Sequence, residues 1–369
     1  MAPQAEANKV EETPLTIGLL PGEGIGPEMI AAAKAVLQAV ESITPQRRFQ
    51  LLTGGAIGDA AVRECGTPLS PAICDFCKDV FARKGAILAG AGGGRFVYDV
   101  RQQFDLYYKL NPLVPSAALD RARRFQPRHT EQVDILVVRE NSGGIYQGCW
   151  GESKCDSFGR LATHKFQYNE HQVRRVLHIA AGYAQKRRGE LTLVFKPNGI
   201  PTVSQLWSDC ARELATEYGI KLRELEIDYA CFHMIHDPWR FDVIVTPNLF
   251  GDIVSDIGGV LLGSRGLCYG ASYSAAGEAV YQTNHGAAHD LAGTDRANPV
   301  GQIFSLAMML RLSFGLAREA RLIEAAVEQV WSSGTRTEDV QEPGCRIVGT
   351  REMADCIAAA VWKLSHEIA

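Results

Sequence analysis

Two hydrophobic periods alternate along this chain. Short apolar runs with β-branched residues read as buried strands at residues 15–20, 49–53, 86–89, 132–138, 191–195, 223–227 and 241–246. Between them, apolar residues recur at helical spacing over residues 27–40, 71–83, 98–110, 170–187 and 203–217. After Pro299 the pattern stays helical, over 302–318, 322–331 and 351–368. Strands that alternate with helices predict an α/β fold with a largely parallel sheet. The chain has no internal repeat and no low-complexity linker, so any domain boundary is crossed by compact turns.

The most informative stretch is FDVIVTPNLFGDIVSDIGG, residues 241–259. Its strand is broken by Pro247 and Asn248, and Gly251 stands at the mouth of the next helix. There Leu249, Ile253 and Ile257 share one face, and Asp252 and Asp256, four apart, point together from another. Like charges at that spacing cost a helix a few tenths of a kcal/mol, and a solvated face is the plain explanation. The helix starts at the carboxyl end of a buried strand, however, where open α/β sheets place their ligands. Mg²⁺ takes carboxylate oxygens in such positions.

Composition narrows the field. At 369 residues the chain can form two domains. A hydrophobic share of 46% with 22% charged residues is that of an ordinary globular protein. Net charge is −4 without a basic stripe, which argues against nucleic acid as partner. No apolar run reaches the roughly 20 residues that span a bilayer. Residues 1–13 are polar and read as a loose tail without a targeting signal. Ten scattered cysteines fit reduced thiols in a cytoplasmic protein. Cys74 and Cys77, inside a helical stretch, read as thiols one turn apart, and His233 and His236 as core or surface histidines.

The turn PGEGIGPE, residues 21–28, tempts a dinucleotide reading. Its glycines are spaced G-x-G-x-G, and no strand with an acidic end follows at the right distance. A tight glycine loop lining a cleft is the better expectation.

Six segments together resemble the β-decarboxylating dehydrogenases, the family of isocitrate, 3-isopropylmalate and tartrate/D-malate dehydrogenases. They are LPGEGIGPE (20–28), VRQQFDLYYKLNP (100–112), VVRENSGGIYQG (137–148), KPN (196–198), NLFGDIVSD (248–256) and NHGAAHDLAGTDRANP (284–299). They stand in family order and cover nearly the whole chain from residue 15. The resemblance implies a two-domain isopropylmalate-dehydrogenase-like fold that is not a Rossmann fold. Residues 1–107 and 264–369 would form a large cofactor-binding domain, and 108–263 a smaller one with the substrate and metal residues and the dimer interface.

It also implies a reaction: NAD-dependent oxidation of the C2 hydroxyl of a 3-substituted malate, loss of CO₂, and protonation of the enol. Mg²⁺ or Mn²⁺ would be held by Asp252 and Asp256 of one subunit and Asp228 of the other, in a homodimer with shared active sites. Lys196 matches the general base and Tyr146 the residue that protonates the enol carbon. An ammonium near cations and apolar walls loses pKa, which would suit Lys196 to that role. On the cofactor side the matches are His285, Gly286, Ala288, Asp290, Leu291 and Asn298, with His285 on adenine and Asp290 on the ribose. A 2′-phosphate beside Asp290 would be repelled: unit charges ~4 Å apart at an effective dielectric of ~20 interact by roughly 4 kcal/mol. A third of that gives about tenfold discrimination, hence NAD. Ala287, His289 and Gln282 depart from the family pattern.

Substrate recognition departs more. Arg101 and Arg139 match two of the family's three carboxylate-binding arginines, but Asn111 stands at the third. Either the carboxylates sit differently, or Arg95 supplies the missing charge. Phe96 and Tyr98 leave room for a flat substituent. A substrate other than plain isopropylmalate is therefore expected. The alternative is a non-catalytic regulatory subunit of a related dehydrogenase, against which stand Lys196, Tyr146, Asp228, Asp252 and Asp256.

Overall fold

A computed structural model describes residues 14–44, 48–123 and 130–367; the 1–13 tail and Ile368 lie outside them. The chain opens with β1 (Leu15–Leu20), α1 (Gly26–Ile43), β2 (Phe49–Thr53), α2 (Asp59–Cys65), α3 (Pro71–Ala82), β3 (Ala86–Ala89) and α4 (Phe96–Gln103). Then come β4 (Tyr108–Leu113), β5 (Ile135–Glu140), a hairpin of β6 (Cys149–Cys155) and β7 (Gly159–Lys165), α5 (Glu170–Lys186) and β8 (Glu190–Phe195). They are followed by α6 (Pro201–Tyr218), β9 (Lys221–Glu226), α7 (Ile227–His236), β10 (Val243–Thr246) and α8 (Asn248–Leu262). The last part comprises β11 (Tyr269–Tyr273), β12 (Ala279–Thr283), α9 (Val300–Leu312), α10 (Ala317–Ser332) and α11 (Thr350–Glu367).

Ten strands form one sheet in the order β2-β1-β3-β12-β11-β4-β5-β10-β8-β9. The outer four on each side are parallel among themselves. Between them β11 and β4 run antiparallel to their neighbours, so the two parallel blocks meet at a seam. Ile17 and Leu19 of β1 face the core formed with α1, whereas Gly18 faces α3, where a methyl carbon would lie 2.8 Å from Val80 Cγ2. The strand alternation thus fills both faces.

Two helical expectations need correction. The stretch 98–110 is not one helix: α4 ends at Gln103, Asp105 takes a positive φ of 42°, and Tyr108 begins β4. The apolar i, i+4 spacing of Leu106 and Leu110 mimics a helix, but the chain gains more by filling the seam between β5 and β11. Likewise 302–318 is broken at Gly315, whose φ is 69°, so that α10 starts at Ala317. The Leu249, Ile253, Ile257 face of α8 is mixed, with Leu249 and Ile257 half-buried and Ile257 packed against the core. Val254, Ser255, Gly258 and Leu261 are buried, while Ile253 and Val260 are exposed, as are Tyr229 and Phe232 on the neighbouring α7. All ten cysteines are free thiols, and burial pushes Cys77 up to about 12.

The glycine loop after β1 is built as a close contact. Gly22 and Gly24 have φ of 76° and 59°, a region that favours glycine. Ile25 N–H donates to Ala287 O at 2.8 Å, and a Cβ at Gly24 would fall 1.9 Å from that oxygen. Glu23, buried beneath, accepts from the backbone N–H groups of Asp59, Ala60 and Gly93. The loop therefore joins the Gly90–Gly94 run to the segment after β12. Gly24→Ala should lower stability by about 1–3 kcal/mol, through the strained φ and the lost contact. Thermal melting checks this; an unchanged midpoint would contradict the close-contact account.

Candidate active site

Helix α8 starts where β10 ends, and its first turn lies over β5. Gly251 is required there: a Cβ would lie 2.5 Å from Arg139 Cγ, so the missing side chain makes room for the arginine stem. Arg139, near the end of β5, is buried. Its Nε and Nη2 donate to Asn248 Oδ1 at 3.1 and 2.8 Å, and its Nη1 donates to Asp252 Oδ1. Asn248 is itself held by donating from Nδ2 to Gly143 O at 2.8 Å. On the other carboxylate oxygen, Oδ2 of Asp252, the Tyr146 hydroxyl donates at 3.0 Å. Three of the expected residues thus form one hydrogen-bonded unit.

The electrostatics of that unit are opposed. Burial raises the Asp252 carboxyl, but the Arg139 charge, the Tyr146 hydrogen bond and Lys109 together hold it below its ordinary value. Burial, then Asp252, keeps the Tyr146 hydroxyl well above the usual phenol range, so it stays protonated. Arg101, in α4 and only 5% exposed, is pushed down to about 9 by burial and by the charge of Arg139. Arg101 lies 5.7 Å over the Tyr98 ring, which in turn packs 5.0 Å from that of Tyr146. Asp256 lies one turn after Asp252 on α8, and Arg265 donates to it at 2.9 Å.

Asn111 and Arg95 are placed differently from the expectation. Asn111 is fully buried and its polar atoms are engaged. Nδ2 donates to Tyr269 O and Asn284 Oδ1 at 3.1 and 3.0 Å, and Oδ1 accepts from Ser255 at 3.3 Å. It offers a substrate nothing. Arg95 stacks 4.6 Å over Trp150, donates to Tyr146 O at 3.1 Å, and lies 3.6 Å from Asp99. Its charge has a carboxylate partner outside the Arg101–Arg139 group. Phe96 is buried in the core beside α3 and lines no cleft.

Lys196 and Asp228 form a second unit. Lys196 Nζ donates to Asp228 Oδ1 and Glu226 Oε2, both at 2.7 Å, and Asn198 Nδ2 donates to Glu226 Oε1 at 3.0 Å. Within this chain Lys196 is not depressed: the hydrogen bond to Asp228, then that to Glu226, raises it. The cations and apolar walls expected to lower it are not its neighbours here. Among the described residues no three His, Cys, Asp or Glu side chains converge on one point. A single chain supplies Asp252 and Asp256 as a hard-oxygen pair that fits a divalent cation, with Asp228 elsewhere.

The segment after β12 carries the residues expected to hold a cofactor. His285 Nδ1 lies 3.0 Å from Gly286 O, its Nε2 is buried without a partner, and burial lowers its pKa. Gly286 faces open space, Ala288 has a φ of 41°, and Asp290 is exposed. Leu291 packs with Ile25 and Met29 behind the glycine loop. An orphaned ring nitrogen, an open glycine and an exposed carboxylate fit a nucleotide. Asn298 is the exception: Nδ2 donates to Asp339 at 3.1 Å and Oδ1 accepts from Val300 N–H at 3.0 Å, so its side chain starts α9.

Sequence reasoning missed Lys109, Asn284, Asn248 and Glu226. Asn248 lies within a quoted motif, and its place one turn before Asp252 was the available signal. Lys109 was hidden by the helical reading of its segment.

An α/β sheet that gathers an Arg–Asp–Tyr unit over a helix start, beside a glycine loop docked on the segment after β12, has the make-up of an enzyme site for a small anionic substrate. A sequence model of the isocitrate/isopropylmalate dehydrogenase family matches residues 16–357, and the chain belongs to that family of decarboxylating oxidoreductases. It is 38% identical to the 3-isopropylmalate dehydrogenase of Geobacillus kaustophilus, over 94% of this chain and 95% of the relative. To that of Carboxydothermus hydrogenoformans it is 39% identical, with the same shares covered. The crystal structure of isocitrate dehydrogenase from Methylococcus capsulatus superposes with a TM-score of 0.84 at 33% identity, over 94% of this chain and 99% of the other. The TT0538 protein of Thermus thermophilus, 24% identical over 94% of this chain and 68% of that one, shares the fold with a TM-score of 0.81.

Because Asp252 is held below its ordinary value, its stabilising contribution is complete above about pH 4 and is lost as pH falls through its folded value. Arg139→Gln should raise its titration more than Tyr146→Phe, since a charge is removed as well as hydrogen bonds. Carbon NMR of the Asp252 carboxyl checks this; equal shifts, or none, would contradict the account of the unit.

Proposed function

We propose that this chain is a homodimeric, NAD- and Mg²⁺- or Mn²⁺-dependent dehydrogenase that oxidatively decarboxylates a 3-substituted malate. The observation that carries the proposal is the Arg139–Asp252–Tyr146 unit with Asp256 beside it. It combines a buried anion binder, an oxygen pair for a hard cation, and a phenol kept protonated. The match to the family along the whole chain supports the same reading and disfavours a non-catalytic subunit.

Arg101 and Arg139 bind and orient the malate carboxylates, which buried guanidinium groups do with little competition from water. Asp252 and Asp256 hold the divalent cation, together with Asp228 of a second copy. When bound, the cation supplies Lewis acidity to the substrate oxygens and NAD supplies the hydride acceptor. Lys196 takes the proton of the C2 hydroxyl. Tyr146, as a neutral phenol aimed into the site, gives a proton to the enol carbon. His285 and Asp290 hold the adenosine, the first by stacking and the second at the ribose.

Lys196 and Asp228 are 2.7 Å apart, and on this reading the pair meets Asp252 of a second subunit. The exposed apolar residues of α7 and α8, namely Tyr229, Phe232, Ile253 and Val260, support an interface there. The site would lie in the cleft between a domain of residues 1–107 and 264–369 and one of 108–263. Asp228 leaving Lys196 for a metal would remove the largest influence now raising that ammonium.

Two experiments test the proposal. A panel of 3-substituted malates with Mg²⁺ should yield NAD reduction, with NADP at least about tenfold poorer; Asp290→Lys should narrow that ratio. Reduction of NADP in preference would overturn the cofactor assignment. Lys196→Met and Asp252→Asn should each abolish turnover; Lys196→Met should melt normally, and Asp252→Asn, which keeps an oxygen acceptor for Arg139, should stay folded with a lowered midpoint. Unfolded and refolded together, they should regain up to about a quarter of wild-type activity, because half the dimers are hybrids with one intact site. No recovery in proven hybrids would contradict shared sites.

A further inference from the structure

On the malate reading above, we infer that Lys109 is the third carboxylate-binding cation of the site, taking over the charge that Asn111 lacks. On β4 the two residues alternate with Leu110, so both side chains stand on one face. Lys109 lies directly opposite Arg139 in the β4–β5 register, and cross-strand partners project to the same side. It is 3% exposed, and its Nζ donates to Asn284 Oδ1 at 2.6 Å, its one hydrogen bond among the described residues. Two further N–H donors of the ammonium remain for a ligand.

The surroundings were shaped for this lysine. A Cβ at Gly270 on β11 would lie 3.1 Å from Lys109 Cε and 2.4 Å from Asn111 Nδ2, so the glycine opens the space both occupy. Asn111 and Lys109 share Asn284 Oδ1 as acceptor, which makes Asn111 a positioning residue for the ammonium. Asn284 Nδ2, buried and without a partner, lies on the same amide.

Like charges placed directly across two strands are destabilising. Lys109 and Arg139 are buried with Arg101 near both, and burial, then the charges of Arg101 and Arg139, pushes Lys109 well below the ordinary lysine value, so a bound anion is what would hold its proton. Among the described residues the carboxylate bonded to this group is Asp252; Asp256 acts on Lys109 from further off and is bridged to Arg265, and buried Glu140 acts on Arg101. An anionic substrate supplies the missing negative charge. A lysine is a compact point charge where arginine is a planar fork. It takes one carboxylate oxygen, and it takes it nearer Arg139 than a side chain at position 111 would. The consequence is a malate bound closer to the β5 end of the seam, with a changed preference for its substituent.

The test uses the intact enzyme and two uncharged variants. Lys109→Gln keeps a donor for Asn284, and Lys109→Met does not. For whichever malate of the panel the wild type oxidises, both should raise KM roughly 10- to 100-fold with kcat within a few-fold. Calorimetry with racemic malate and Mg²⁺, without NAD, should show the same loss, and Lys109→Arg should recover part of it. Asn111→Arg alone should not improve turnover of isopropylmalate, whereas K109N/N111R should. Lys109→Gln with wild-type KM and wild-type malate binding would overturn the assignment, as would rescue by Asn111→Arg alone. A wild type that neither oxidises nor binds any malate of the panel would overturn the malate reading itself, and this inference with it.

Discussion

The contact between Arg139 and Asp252 joins the sheet to the catalytic helix, and much else is arranged around it. Arg139 is buried at the end of β5 and needs its acceptors, because an unpaired buried guanidinium would cost several kcal/mol. Asn248 and Asp252, one turn apart at the start of α8, supply them. Gly251 lies between those two residues because any larger side chain would collide with the arginine stem. The same carboxylate then takes the Tyr146 hydroxyl, which fixes the phenol beside α8. One ion pair thereby ties the start of α8 to β5 and places the carboxylate that receives the Tyr146 hydroxyl.

Much of this was legible in the sequence, for identifiable reasons. The strand ending at Thr246, the breaker Pro247 and the aspartates four apart give the helix start and the shared carboxylate face from local chemistry alone. The glycine spacing at 22, 24 and 26 pointed to a tight loop, and the loop makes a docking contact with Ala287. What was not legible depended on long-range pairing. Residues 104–110 have apolar spacing compatible with a helix, and only the vacancy between β5 and β11 makes residues 108–113 a strand. That error mattered: on a helix, positions 109 and 111 point apart, whereas on a strand they share a face. The substitution at Asn111 therefore looked like a lost charge. The charge two residues earlier could not be assigned to the same place.

On the proposed reading, substrate preference is concentrated at the seam. β4 and β11 are the antiparallel strands that link the two parallel blocks, and their side chains reach both. Lys109, Asn111, Gly270 and Asn284 interlock within that narrow strip, so a change at one alters the space available to the others. Asp252, Asp256 and Tyr146 lie outside the strip, on α8 and the turn after β5. On the proposed reading, chemistry and substrate preference are thus carried by different elements and can vary separately.

A single chain holds two half-sites: Arg139–Asp252–Tyr146 in one place and Lys196–Asp228 in another. The proposal that they close on one divalent cation from two subunits is its central claim. Anomalous diffraction from crystals grown with Mn²⁺ and malate measures this directly. The account predicts one Mn²⁺ peak per subunit within about 2.0–2.3 Å of oxygens from Asp252, Asp256 and Asp228 of the second copy. A peak coordinated by one chain alone, or located away from α8, would contradict it.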